Sequence, residues 1–119
     1  METRYYARRP HLATIRYKTL FTLYPDWYLD HISGGGDNLW GDWSNMYLVE
    51  PLGNSTLPPA ELALILGGEV CSWDPYEDGS NYLANAFPRA YAVAERLWSD
   101  RSQRDVDDAA RRLHILRCL

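Results

Sequence analysis

Two short stretches of this 119-residue chain gather aromatic rings beside carboxylates. Trp27, Tyr28 and Asp30 form one, and Trp73, Asp74, Tyr76 and Asp78 form the other. Aromatic faces stack on the C–H surface of a neutral sugar, while carboxylates accept hydrogen bonds from its hydroxyls. The same residues also describe a packed barrel core with solvated acids around it, and composition alone does not separate the two. Glycoside hydrolysis usually requires one carboxylic acid to protonate the leaving oxygen and a second group to stabilise or attack the anomeric carbon. No such acid and base arrangement is recognisable here.

Other chemistries lack their residues. There is no Gly-x-Ser-x-Gly elbow for a serine nucleophile. His11, His31 and His114 stand isolated in sequence and are assigned no chemistry. Cys71 and Cys118 are the only cysteines, with no second Cys or His at metal-ligand spacing, which argues against a disulfide framework and a zinc site. Gly34-Gly35-Gly36 has no accompanying Lys or helix start, so it implies a loop rather than a phosphate cradle. Neither a metal nor a cofactor is expected.

Charge narrows the partners. Between Lys18 and Arg89 there is no Lys or Arg, yet Asp26, Asp30, Asp37, Asp42, Glu50, Glu61, Glu69, Asp74, Glu77 and Asp78 all fall in that span. Such a segment offers no cation to replace the counterions of a phosphate backbone, so nucleic acid is not an expected partner. The longest apolar run, around Leu62 to Leu66, is far shorter than the roughly 20 residues of a membrane span. No apolar stretch follows Met1, and no signal peptide is read at this amino terminus. Asn54-Ser55-Thr56 forms a sequon, which is glycosylated only on the secretory route.

The elements that must position these residues alternate in type. Tyr17 to Tyr24 is rich in aromatic and β-branched residues and closes on Pro25-Asp26, as a strand running into a loop does. Asp42 to Tyr47 reads as a short helical turn. Ala60 to Leu66 lacks polar alternation, which predicts a strand covered on both faces, with Gly67-Gly68 at its end. Pro88 suits the first turn of a helix whose apolar stripe is Tyr91, Ala94, Leu97 and Trp98. A second helix is predicted from near Ser102, with Ser102 and Asp105 as a variant capping box and Val106, Ala109, Ala110, Leu113 and Leu116 as its stripe. The order is α/β, and each strand end runs into a Trp and acids, the place where an α/β barrel binds its ligands.

Larger motifs carry a resemblance. Gly67-Gly68-Glu69-Val70-Cys71-Ser72-Trp73, Asp78-Gly79-Ser80-Asn81-Tyr82-Leu83, Phe87-Pro88-Arg89-Ala90 and Ala94-Glu95-Arg96-Leu97-Trp98-Ser99 closely resemble the carboxyl-terminal part of the family 20 β-N-acetylhexosaminidases. Trp27-Tyr28-Leu29-Asp30-His31-Ile32-Ser33 and Val49-Glu50-Pro51-Leu52 match as well. The resemblance covers residues 17–119 and leaves residues 1–16 as an unpatterned segment outside it. It implies the C-terminal portion of a (β/α)8 TIM barrel, about the last two strands and closing helices, since a whole barrel takes about 250 residues. Two strands with uncovered edges imply a chain of poor stability in isolation.

The implied activity is removal of terminal N-acetylglucosamine or N-acetylgalactosamine from glycans by substrate-assisted hydrolysis, an exception to the two-carboxylate scheme. Tyr28 resembles the tyrosine that holds the acetamido oxygen, Trp73 a wall around the acetamido methyl, and Asp30 a contact to the outer hydroxyls. Cys71 resembles a free cysteine, and Cys118 one that pairs further along. The resemblance also implies a lysosomal or secreted location and a complete enzyme able to dimerise. Two departures stand out. The Asp-Glu dipeptide that supplies the family's acid and orienting group occurs nowhere in this sequence, and the chain alone is expected to be inactive. Pro75 takes the place of a sugar-binding Glu, which leaves Asp74, Glu77 and Asp78 as candidates to compensate.

Overall fold

Thr19–Thr22 forms β1 and Ile65–Glu69 forms β2, and the two pair in parallel. This computed structural model describes residues 15–23, 26–30, 43–53, 56–73, 75 and 77–117. Among the described residues five helices complete the order: α1 (Trp43–Leu48), α2 (Pro59–Leu62), α3 (Tyr82–Ala86), α4 (Arg89–Trp98) and α5 (Val106–Arg117). The result is a mixed α/β unit with a two-stranded sheet among the described residues, not a closed barrel.

The first strand lies inside the predicted one, but the second is displaced. The segment predicted as strand from Ala60 to Leu66 opens as helix α2, and β2 starts only at Ile65 and runs through both glycines. Pro59 sits at the first helical position, where its fixed φ and missing N–H are harmless, and good helix formers follow it. An apolar run by itself does not distinguish the two outcomes.

The glycines serve the strand rather than end it. Register passes from Thr19↔Ile65 to Leu20↔Gly67, so Leu66 is the extra residue of a bulge. Gly67 adopts φ 143°, a conformation that side chains disfavour. Gly68 is required for a different reason: a Cβ there would lie 2.6 Å from Cζ3 of Trp27 and 3.0 Å from the Phe21 carbonyl oxygen. The strand therefore lies flat against the indole ring.

One core forms on that face. Phe21, Leu23, Trp27 and Leu29 from the β1 segment pack with Met46 and Val49, Ala86 and Val93, joined by the partly buried Ile65, Val70 and Leu97. Trp27 is fully buried and donates its indole N–H to the Met46 carbonyl at 3.2 Å, so this Trp belongs to the core and not to a sugar face. A second cluster, Tyr47, Ala92, Ala109 and Leu113, joins α1, α4 and α5.

Helix α4 follows the predicted stripe only in part: Tyr91 and Leu97 pack, partly buried, against the two clusters, but the fully buried positions lie elsewhere. Arg89, Ala92, Val93 and Arg96 are buried, while Ala94 is exposed and Trp98 is 90% exposed. The arginines are tolerated because their forked donors meet backbone carbonyls; Arg96 reaches Gln103 O and Asp100 O, each at 2.9 Å. The start of α5 also differs from the predicted capping box. Asp105 caps it, with Oδ1 accepting the Asp108 N–H at 2.9 Å, whereas Ser102 turns back to the Asp100 carboxylate. Of the α5 stripe, Ala109 and Leu113 are buried, and Leu116 is 40% exposed.

The Val49-Glu50-Pro51-Leu52 motif ties this turn to α1. The Glu50 carboxylate binds Arg101 at 3.1 Å and Arg104 at 2.9 Å, and the same arginines reach the carbonyls of Gly53 and Leu48.

Candidate functional site

Parallel pairing continues past both strands. The Leu29 N–H donates to the Cys71 carbonyl at 2.8 Å and the Cys71 N–H to the Trp27 carbonyl at 3.0 Å, which makes Tyr28 and Cys71 bridge partners. Successive side chains of an extended segment point to opposite faces. Trp27 and Leu29 occupy the core, so Tyr28 and Asp30 emerge on the other face. On the second segment Val70 packs toward the core, so Glu69, Cys71 and Trp73 share the face of Tyr28 and Asp30. Thr22 joins them, donating its hydroxyl to Glu69 Oε1 at 2.7 Å.

Three sequence-derived site residues, Tyr28, Asp30 and Trp73, are thus brought to one side of the sheet. Tyr28 and Asp30 are half-buried, whereas Trp73 is 73% exposed. Oδ1 of Asp30 is buried without a hydrogen-bond partner among the described residues, as is Oε1 of Glu77. The other carboxylate oxygen of Glu77 accepts a hydrogen bond from the Ser72 hydroxyl, which braces the loop that carries Trp73.

Asp78 lies further along the same loop, beyond Glu77. It is exposed and turned onto its own loop, accepting from Ser80 N at 2.7 Å and Ser80 Oγ at 2.6 Å, and these bonds hold its carboxyl below the ordinary range. Pro75 is exposed and offers no side-chain acceptor. Asn54, Asp74 and Tyr76 lie outside the described residues, as do His31, the triple glycine and Cys118.

Cys71 is a free thiol. Burial raises its pKa above the ordinary 9.0, the Glu69 and Asp30 charges push the same way, and hydrogen bonds involving Trp73 and Thr22 oppose them. A protonated, weakly nucleophilic thiol results, poorly suited to nucleophilic attack. Among the described residues no group of His, Cys, Asp and Glu could hold a metal ion. No helix there is long and apolar enough to cross a membrane.

Sequence reasoning assigned no role to Thr22 or Glu69, and none to Arg89, which is 4% exposed and reaches the Leu29 carbonyl at 2.8 Å. A signal for Arg89 was present, since a cation at the first position of a helix opposes the macrodipole and calls for another reason to be there. A separate cavity of about 550 Å³ lies between α4 and α5, lined by Glu95, Ser99, Gln103, Arg112, Ile115 and Leu116. It shares no residue with the face that carries Tyr28 and Trp73.

Comparison with known proteins agrees with the sequence motifs. Residues 4–101 match the glycosyl hydrolase family 20 catalytic domain, a span that begins within the amino-terminal segment. Over 92 residues the chain is 46% identical to β-hexosaminidase subunit alpha of Bos taurus and 46% identical to β-hexosaminidase subunit beta of Homo sapiens. It is 47% identical over 94 residues to β-hexosaminidase subunit beta of Sus scrofa. Each alignment covers 77% of this chain and 16% of the relative, so the chain spans about one sixth of the length of these curated relatives. The chain belongs to glycosyl hydrolase family 20, and it represents part of that catalytic domain.

Proposed function

We propose that this chain supplies one wall of the N-acetylhexosamine pocket of a β-N-acetylhexosaminidase that removes terminal N-acetylglucosamine or N-acetylgalactosamine from glycans. The observation that carries this is the Tyr28↔Cys71 bridge, which sets the two aromatic and acidic strand ends side by side with Tyr28, Asp30 and Trp73 on one face. The two segments would be the last two strands of a (β/α)8 barrel, whose ligands gather at strand carboxyl ends.

In substrate-assisted hydrolysis the sugar's own acetamido oxygen attacks the anomeric carbon, and the leaving oxygen takes a proton from a carboxylic acid. Tyr28 donates its hydroxyl hydrogen to that acetamido oxygen, which fixes the nucleophile in line with the bond that breaks. Trp73 covers the acetamido methyl with its ring. Asp30, whose Oδ1 has no partner among the described residues, accepts a hydrogen bond from a ring hydroxyl. The acid and the group orienting the acetamido N–H have no counterpart in this sequence, which contains no Asp-Glu dipeptide. The isolated chain therefore holds and orients, and it does not cleave.

A chimera tests this. The matching segment of the bovine β-hexosaminidase subunit alpha is replaced by that of this chain and assayed on a chromogenic N-acetylglucosaminide. Turnover is expected, with kcat lowered on the order of 10²–10³-fold by Tyr28→Phe, the loss typical of one positioned donor. The isolated chain is expected to give none. Turnover by the isolated chain, or a chimera indifferent to Tyr28→Phe, would overturn the assignment.

A further inference from the structure

Arg89 is out of place by every local rule. It is 4% exposed although arginine is among the residues least often fully buried, and it stands at the first position of α4, where the helix dipole disfavours a cation. Its side chain spans two elements. Nε donates to the Asn85 carbonyl at 3.0 Å, a second guanidinium nitrogen meets the same oxygen, and Nη1 donates to the Leu29 carbonyl at 2.8 Å. Asn85 lies in the last turn of α3, whose carbonyls form the negative end of that helix.

The Leu29 contact reaches across sixty positions to the residue between Tyr28 and Asp30. Leu29 is held twice: its N–H by the Cys71 carbonyl and its C=O by Arg89. The first bond sets the register that makes Tyr28 and Cys71 partners. The second fixes the peptide from which Asp30 emerges. Without a donor there the Leu29 carbonyl would be a buried acceptor without its bond, and the segment could recover it only by turning toward water.

We infer that Arg89 is a positioning residue for the sugar-facing strand end, a buried clamp that fixes the backbone between Tyr28 and Asp30 from behind. Its role in sugar binding rests on the pocket assignment above; the clamp itself does not. Arg89 touches no substrate in this scheme, and it acts through the Leu29 peptide.

Amide hydrogen exchange on the whole chain, in the wild type and in Arg89→Met, tests the clamp. The amides of Leu29 and Cys71 are expected to lose protection by about tenfold or more, since bonds to charged donors are the stronger ones, while the Thr19 amide, bonded to the Leu64 carbonyl in the ladder, keeps its protection. Equal loss at all three amides would mean that Arg89 merely holds the fold together, and no change at any would mean that it holds nothing; either overturns the proposal. Where Arg89→Met does not fold, Arg89→Lys carries the same comparison, since one ammonium cannot span both carbonyls. Titration of the wild-type chain with N-acetylglucosamine, read by Trp fluorescence, reports on the pocket separately. Absence of binding counts against the pocket, and the exchange pattern still decides the clamp.

Discussion

The two faces of the strand pair obey opposite rules although the same residues' neighbours build both. On the helix side Phe21, Leu23, Trp27, Leu29 and Val70 are chosen for shape, closely enough that Gly68 has no room for a single carbon. On the other side Thr22, Tyr28, Asp30, Glu69, Cys71 and Trp73 are polar or aromatic, and Trp73 stands largely in solvent. Period-two alternation interleaves scaffold and site residue by residue, so an error of one position in register would exchange them. The contrast between Trp27 and Trp73 shows it most clearly, since one residue type serves as keystone on one face and as open surface on the other.

Substitution on the two faces should therefore separate stability from binding. Trp27→Ala removes a fully buried ring and an indole bond, and is expected to cost about 3–5 kcal/mol, most of the margin of a small domain. Urea unfolding followed by circular dichroism measures it; a loss below about 1 kcal/mol would break the contrast. Gly68→Ala should destabilise by about 1–3 kcal/mol through overpacking, because the clash includes the rigid Phe21 carbonyl as well as the ring. Trp73→Ala should move the same unfolding curve by no more than about 0.5 kcal/mol, as expected of an exposed position. In the chimera it should raise KM, and an unchanged KM would remove Trp73 from the pocket.

The smallest effect is kinetic. Alkylation requires the thiolate, and a raised pKa lowers the thiolate fraction at any pH below it. In a Cys118→Ser chain, Cys71 should react with iodoacetamide more slowly than a small-molecule thiol at pH 8, and its rate should keep rising beyond pH 9.0, the ordinary value. A rate that levels off below that pH would show a thiol activated by its neighbours instead of suppressed by burial and the Glu69 charge.

Some of this was legible beforehand. β1 could be read because its aromatic and β-branched residues stand against a Pro-Asp stop, and α1 and α5 because their periodicity is local. The start of β2 was not, because Pro59 and the helix formers after it decide the same apolar letters in favour of a turn of helix. The buried face of α4 was legible only at Tyr91 and Leu97, because a hydrophobic stripe does not register an arginine that is buried for its donors. Tyr28, Asp30 and Trp73 were nameable from the family motifs. Their juxtaposition was not, since it depends on a bulge at Leu66 and on bonds between segments more than forty positions apart.

That separation also orders events in time. The hydroxyl of Thr22 and the carboxylate of Glu69 meet across 47 positions, a loop whose closure costs about 3 kcal/mol of chain entropy before any ladder bond forms. Helices α3, α4 and α5 are sequence neighbours and close only short loops. They should assemble first, and the ladder should zip onto them afterwards, with the Tyr28 and Cys71 pairing at its far end. The face proposed to meet the sugar should then be the last part of the chain to acquire its shape and the first to lose it, so a ligand seated there would act as a latch on the whole folding reaction.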